Sequence, residues 1–418
     1  MSANVADPPP PTPRLNGDFW RFWVGQTISN LGSSFTSFAV PLLIFQLTGS
    51  ALNLALASAA TSLPGLLFGL LIGAWVDRVD RKRLMMSADL ARAVVIASIP
   101  LLALLNRFPI WWIYSVGFVN TTLAICFSFA QVTAIARLVT HDDLVTANGR
   151  MYASFAATGV IGPLLAGFLV ALIPTPTLLL FDAASFLISA SLLARITTSF
   201  NVIMVREPTT LHNDIAEGLR YVLQHPLLRA IAAIALLVNF VVVTIGTQTV
   251  LFVKQWLQAS DTQLGLFYAA ESLGVISFSL AAGTLRKHLR FSTVALGAIT
   301  LQGLLTIALA LTQIVWGAIL LMALMAGLGM LFNINVISLR QAIVPNLLLG
   351  RVTSVLNVLA GSVTPLGTLI GGMLIDRTHD VALVYAVIGG LIVVIGLTFM
   401  FTALGHAERY IPQAEAGQ

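Results

Sequence analysis

Charge is scarce in this sequence: 9% of its 418 residues are Asp, Glu, Lys or Arg, against 57% hydrophobic. A soluble domain carries about 25% charged residues, so most of the chain is excluded from facing water. Cysteine occurs once, at Cys126, which rules out an intrachain disulfide and any cysteine-cluster metal site. Lying in an apolar run, it reads as a small packing residue. There are three lysines, and none follows a glycine. The chain therefore has no G-x-x-x-x-G-K-[ST] phosphate loop, which excludes ATP hydrolysis. The six histidines fall in loops or at the ends of apolar runs and form no H-E-x-x-H pair. No polar segment is long enough for a catalytic domain, so neither an enzyme nor a bound cofactor or metal is expected.

What the sequence does have is long apolar runs. A helix needs roughly 20 apolar residues to cross a bilayer, and twelve runs qualify: 19–45, 52–76, 84–105, 110–137, 147–172, 177–196, 228–253, 261–285, 291–311, 315–339, 352–375 and 381–404. The breaks are Gly49-Ser50, Asp77 to Arg83, Asn106-Arg107, His141 to Asp143 and Pro174 to Pro176. The expected fold class is an all-α membrane protein with twelve transmembrane helices. Residues 1–18 read as a disordered, proline-rich arm and 19–196 as a first six-helix bundle. Residues 197–227 read as a linker, 228–405 as a second bundle and 406–418 as a tail. No basic-then-apolar leader with a small-residue cleavage site precedes the first run, so the first helix is expected to be retained.

A pI near 9.7 suggests nucleic acid only until the charges are placed. With the chain starting in the cytoplasm, eighteen of the 22 basic residues fall on that face, in short clusters between runs. Arg107, Lys254 and Arg377 fall on the other, and Arg92 lies inside a run. This is the positive-inside pattern. It predicts a multi-pass membrane protein with both termini cytoplasmic, the lipid bilayer as partner and no nucleic acid. The longest connection, Thr197 to Leu227, holds Asp214-x-x-Glu217, a capping-box-like start, followed by Ile215, Leu219, Val222 and Leu223 at helical spacing. A short amphipathic helix lying on the cytoplasmic surface is expected there, ended by Pro226.

The linker marks the midpoint of a repeat. Ala136-Arg137 to Gly149-Arg150 and then Gly162-Pro163 to Gly167 has its counterpart in Leu339-Arg340, Gly350-Arg351 and Pro365 to Gly371. Gly73, before the basic cluster Asp77 to Arg83, matches Gly283, before Arg286 to Arg290. Parallel six-helix repeats are an architecture of secondary transporters, with the site near mid-membrane at the repeat interface.

The stretch Gly73-Ala-Trp-Val-Asp77-Arg78-Val-Asp80-Arg81-Lys82-Arg83 resembles the signature loop of the major facilitator superfamily, G-x-x-x-D-R-x-G-R-[RK]. It departs from that pattern at Asp80, where the family has glycine, which puts the turn geometry in question. Gly162 to Gly167 is similar to the glycine-proline motif of antiporters in that superfamily. Asp89-Leu-Ala-Arg92-Ala93, Asp214-Ile-Ala-Glu-Gly-Leu-Arg220-Tyr, and Arg340-Gln341 through Gly350-Arg351 to Pro365-Leu-Gly367 resemble the bacterial exporters related to the enterobactin exporter and macrolide-efflux proteins. The resemblance implies the major facilitator fold and a place in the bacterial plasma membrane. It also implies export by alternating access, driven by the proton motive force, with Gly73, Asp77, Arg78, Arg81, Lys82, Arg92, Gly162 and Pro163 as gating residues. Asp77 is then expected to pair with basic residues or a helix terminus across the halves when the cytoplasmic side is closed.

Gly65, Gly69 and Gly73 form a small-residue face on the second run, where another helix can approach closely; it reads either as static packing or as a gate surface. Apart from Asp261, the first residue of its run, three acids lie within runs. Asp89 has Arg92 three residues on, on the same face, and Asp182 sits near an external end, wet or capping a helix. Glu271 is the deepest and has no basic residue within a helical turn or two. A charge near the bilayer centre costs about 2.5–3.5 kcal/mol on insertion scales. Glu271 is therefore the first candidate for a proton-coupling carboxyl, with Asp89 second; the plainer reading is a protonated acid buried between helices.

Runs one, four, seven and ten hold Gln26, Asn30, Asn120, Gln131, Asn239, Gln248, Asn333 and Asn335, while the other eight hold Gln302 and Asn357, with Asn53, Asn148 and Gln263 at their very starts. In the superfamily resembled, the first helix of each three-helix unit lines the central cavity. Gln26, Asn30, Asn120, Asn239, Gln248, Asn333 and Asn335 are accordingly the expected substrate-cavity residues. Such a cavity suits a small, largely apolar substrate, hydrogen-bonding or weakly cationic, of the drug, macrolide or siderophore-like kind. The expected protein is thus a proton-coupled efflux transporter acting as a monomer, with the small molecule and protons as partners. The alternatives are uptake or facilitated diffusion of a metabolite, and a non-transporting receptor or lipid scramblase.

Overall fold

The structure, a computed structural model, describes residues 15–76, 78–105, 109–140, 142–201 and 211–410. Among these residues there is no strand, and twelve helices are long and apolar enough to cross a membrane. Spans 1 to 6 are Gly17–Thr48, Ala51–Val76, Arg81–Leu104, Ile110–Leu138, Leu144–Leu169 and Leu178–Ala194. A linker helix, Leu211–Gln224, follows. Spans 7 to 10 are Pro226–Thr247, Asp261–His288, Phe291–Leu311 and Val315–Ile343. Span 11 is Asn346–Ser362 continued by Thr364–Thr378, and span 12 is Val381–Phe399. The expected all-α, twelve-span architecture is the one observed. Asp77, most of the arm, residues 202–210 and the tail beyond Tyr410 lie outside the described residues.

Local chemistry explains where spans end. Span 1 starts after Asn16, whose side chain accepts the Phe19 N–H at 2.7 Å, an N-cap. It stops at Gly49, whose φ of 61° is left-handed and costs a glycine nothing. Two spans differ from their apolar runs. Span 7 ends at Thr247 rather than near 253, because Gln248 leaves helical geometry (φ −98°, ψ 8°). The remaining apolar residues form a separate turn, Thr249–Leu251, and a π-helical turn, Phe252–Trp256. Span 11 is longer than its run and is interrupted at Val363, where Pro365 supplies no N–H to continue the ladder.

The turn before span 3 resolves the question raised by Asp80. Its φ of −65° and ψ of 107° are ordinary for any residue, so no glycine is needed. The Asp80 carboxylate caps span 3 by accepting the Arg83 N–H at 2.9 Å. That same bond holds the carboxyl below the usual carboxylate range.

Packing divides the spans into two groups. In the first, span 6 packs on spans 1 and 3, span 4 on spans 2 and 3, and span 5 on span 1. In the second, span 9 packs on spans 10 and 12, span 8 on span 10, and span 7 on spans 11 and 12. The groups meet along two helix pairs, span 5 with span 8 and span 2 with span 11. The linker helix docks on the start of span 11: Arg351 pairs with Glu217, Gly218 abuts the Arg351 main chain, and Val222 is buried.

Candidate functional site

Both junctions between the halves are closed at the same end, the face opposite the start of span 1 and the linker helix. At the span 2–span 11 junction, Asp376 accepts the Ala51 N–H at 2.8 Å and the Ser50 hydroxyl at 2.9 Å. The first N–H groups of a helix have no partner within it, and its N-terminus favours negative charge. Asp376 therefore caps span 2 from the other half of the molecule. Just beside it, a Cβ on Gly372 would lie 2.5 Å from the Ala55 Cβ and 2.9 Å from the Ala51 carbonyl. Gln248, fully buried, donates to that Ala51 carbonyl at 2.9 Å.

The span 5–span 8 junction follows from Pro163. Proline has no N–H, so the carbonyl four residues back, at Gly159, loses its helical donor. The Ser272 hydroxyl, from the other half, donates to it at 2.8 Å. One turn on, a Cβ on Gly265 would sit 2.5 Å from the Pro163 carbonyl, and Thr262 donates to the Gly167 carbonyl at 3.2 Å. Gly162, beside the proline, is packed against Ser34 of span 1.

The other end of the same helices lies apart. A Cβ on Gly69 or on Gly283 would meet nothing within 4 Å, and one on Gly65 or Gly73 would reach only an Ile125 or Phe129 side chain at 3.7–3.9 Å. The small-residue face of span 2 thus meets only span 4 side chains, and no other helix backbone comes within 4 Å of it in this conformation. Of the signature loop, Arg78 is exposed. The buried Arg81 donates its backbone N–H to Asn201 at 3.1 Å, and Lys82 donates to the Ile196 carbonyl at 2.6 Å. Asp77 lies outside the described residues.

Three cavities line the space behind the closed end. One of about 330 Å³ lies between spans 1, 5 and 8 and is lined by Asn30, Ser33, Ser34, Thr158, Tyr268 and Glu271, among others. A second, of about 480 Å³, lies among spans 1 to 4 and the end of span 7; Ser37 lines both, and Asn120 and Thr61 line the second. A third, of about 560 Å³, lies among spans 7, 9, 10 and 11 and is lined by Asn239, Gln302, Asn333, Arg340 and Asn357. Volumes of 300–1,000 Å³ are those of small-molecule sites.

Beneath the second cavity lies a buried polar cluster. The Arg92 Nε–H donates to Asn120 at 3.0 Å, and its guanidinium sits 4.0 Å above the Phe186 ring. Asp182, 1% exposed, accepts from Thr36, Ser33 and Ser185. It is an interior hub tying span 6 to span 1, not the wet or capping residue expected from its place near the end of its run. Asp89 is fully buried, and neither carboxylate oxygen makes a well-formed hydrogen bond; Ser189, Arg92 and Asp182 are its electrostatic neighbours.

Of the amides expected in the cavity, the structure places Asn30, Asn120, Asn239 and Asn333 on cavity walls. Three lie elsewhere. Gln26 is buried against span 6, donating to Ser189 at 3.2 Å, and Gln248 is spent on the closed end. Asn335 is buried and bonded to the Leu331 carbonyl at 2.8 Å. Sequence reasoning missed Gln302 and Asn357 as wall residues, because spans 9 and 11 were not assigned to the cavity. It also missed Asp376, and it placed Arg340 only in the charge pattern, the repeat and the family resemblance.

Two helical bundles meeting along paired helices that are closed at one end, with cavities behind that closure, define a secondary-transporter fold. The chain belongs to the transmembrane secretion effector family of the major facilitator superfamily, whose model matches residues 10–415. It is 24% identical over 365 residues to macrolide efflux protein A of Streptococcus pyogenes, covering 86% of this chain and 89% of that one. It is 28% identical over 369 residues to the multidrug efflux pump Tap of Mycolicibacterium fortuitum, covering 82% and 86%. Among solved structures, a bacterial homologue of the human lysosomal transporter Spinster, inward-facing and unoccupied, matches with a TM-score of 0.72 at 13% identity, over 94% of this chain and 97% of that one. At that identity the likeness is one of fold. The chain is a membrane transporter of this superfamily and not an enzyme.

Proposed function

We propose that the chain exports a small, largely apolar, hydrogen-bonding compound from the cytoplasm by alternating access, driven by protons. The observation that carries this reading is the asymmetry of the two helix junctions, zipped by glycine contacts and trans-half hydrogen bonds at one end and apart at the other. The start of span 1 and most of the described basic residues lie on the open side, which the positive-inside pattern assigns to the cytoplasm. The conformation is then the cytoplasm-open one, ready to load. The efflux named in the two relatives supports the outward direction.

Glu271 lines the cavity between spans 1, 5 and 8, one residue before Ser272, which bonds the closed junction. A carboxyl there gains or loses a proton beside the contact that must break for the far face to open. Asp89, fully buried beside Ser189, Arg92 and Asp182, is the second proton site. Accumulation of a chemically diverse compound panel in cells expressing the chain tests the reading. Lower accumulation of some members, restored by a proton uncoupler, is expected. Higher accumulation, or a reduction that the uncoupler leaves intact, overturns it.

A further inference from the structure

Arg340 is the one basic residue lining any of the three cavities. It is 8% exposed, and its Nε–H has no hydrogen-bond partner. Buried charges are ordinarily paired, since leaving one bare costs several kcal/mol. No Asp or Glu lines this cavity among the described residues; Asn239, Gln302, Asn333 and Asn357 do, and the Gln302 carbonyl oxygen is also buried without a partner. Positive-inside placement accounts for an arginine at this end of span 10 but not for one turned inward. Its counterpart in the sequence repeat, Arg137 at the same end of span 4, is exposed.

From this we infer that the cavity among spans 7, 9, 10 and 11 is a subsite for an anionic oxygen group, a carboxylate carried by the transported molecule. Arg340 supplies the charge. The amides at Asn239, Asn333 and Asn357 hold the remaining polar atoms, and the aliphatic wall of Ile231, Val238 and Val242 takes the apolar part. The substrate class is therefore a lipophilic acid or zwitterion, which replaces the weakly cationic option expected from the sequence. The inference rests on the transport reading for its physiology, but binding alone tests it.

The probes are N-dansyl-phenylalanine and its carboxamide, which match in size and aromatic surface and differ by one charge. Binding to the purified full-length chain in neutral detergent is read by dansyl fluorescence. The wild type is expected to bind the carboxylate at least about tenfold more tightly, as a charge-assisted hydrogen bond replaces a neutral one. High salt narrows the gap only partly, because the pair is buried. Arg340→Gln removes the preference while leaving carboxamide affinity within about threefold, and Arg340→Lys retains part of it. Equal affinity of the wild type for the two probes, or a preference that survives in Arg340→Gln, overturns the subsite. The wild-type comparison needs no variant to fold. A preserved preference in a chain that moves no solute leaves the subsite standing and sinks only the transport reading.

Discussion

Gly372→Ala moves the conformational equilibrium and not merely the stability. The added Cβ lies 2.5 Å from the Ala55 Cβ and 2.9 Å from the Ala51 carbonyl, whereas carbon atoms rest about 3.5–4.0 Å apart. Both obstacles belong to span 2 and neither is the flexible tip of a side chain, so spans 2 and 11 have to separate by about 1 Å to clear them. Overpacking of this kind costs about 1–3 kcal/mol. The contact exists only while the far face is closed, so the cost falls on that state and shifts the equilibrium about 5- to 150-fold towards opening. Gly371 supplies the control. Its added Cβ meets Thr244 of span 7, inside the same half, so Gly371→Ala lowers stability without selecting a state. Spin labels at Leu172 and Leu311, exposed positions of the two halves at the far face, are introduced with Cys126, the sole cysteine, replaced by serine. Double electron–electron resonance is expected to show a longer-distance population in Gly372→Ala and not in Gly371→Ala. A distance distribution unchanged by Gly372→Ala, with a loss of thermal stability like that of Gly371→Ala, refutes the reasoning.

Asp376→Ala leaves the Ala51 N–H and the Ser50 hydroxyl without their trans-half acceptor and weakens closure by about 1–3 kcal/mol; a longer-distance population between the Leu172 and Leu311 labels reads it. Ser272→Ala removes the donor to the carbonyl freed by Pro163 and shifts the same equilibrium by about 1 kcal/mol, visible as a smaller change in the Leu172–Leu311 distances. Asp80→Ala costs span 3 its cap, about 0.5–2 kcal/mol, seen as a lower melting temperature. The Arg83 N–H holds the Asp80 carboxyl below its usual range. The cap's contribution is therefore full above the ordinary carboxylate range near pH 4 and fades as pH falls through the lowered value. Wild type and Asp80→Ala thus converge in acid.

The spans were legible because a bilayer crossing demands length and apolarity, which composition records directly. Their ends were less so. The halt of span 7 at Gln248 and the interruption of span 11 at Val363 are local backbone events inside apolar runs, invisible to a hydropathy average. The cavity was half legible. An amide on a cavity-lining helix still has to point the right way, and each residue turns a helix by about 100°. Asn333 and Asn335 are two apart and cannot both face one wall; the first lines the cavity and the second is buried. Gln248 carried no mark of the closed end, because its partner, the Ala51 carbonyl, is 197 residues away. Asp376 was overlooked for the same reason. Pro163 was the exception, since a proline in a helix announces a free carbonyl at Gly159, though not that Ser272 would take it.

The central claim, proton-driven alternating access through Glu271, is tested most directly in proteoliposomes holding either the wild type or Glu271→Gln, using a compound from the accumulation screen. With an imposed pH gradient, the account predicts that the wild type moves the compound against its own concentration gradient. Glu271→Gln is expected to lose that uphill flux while still exchanging labelled for unlabelled compound at equilibrium. Uphill transport by Glu271→Gln equal to that of the wild type contradicts it.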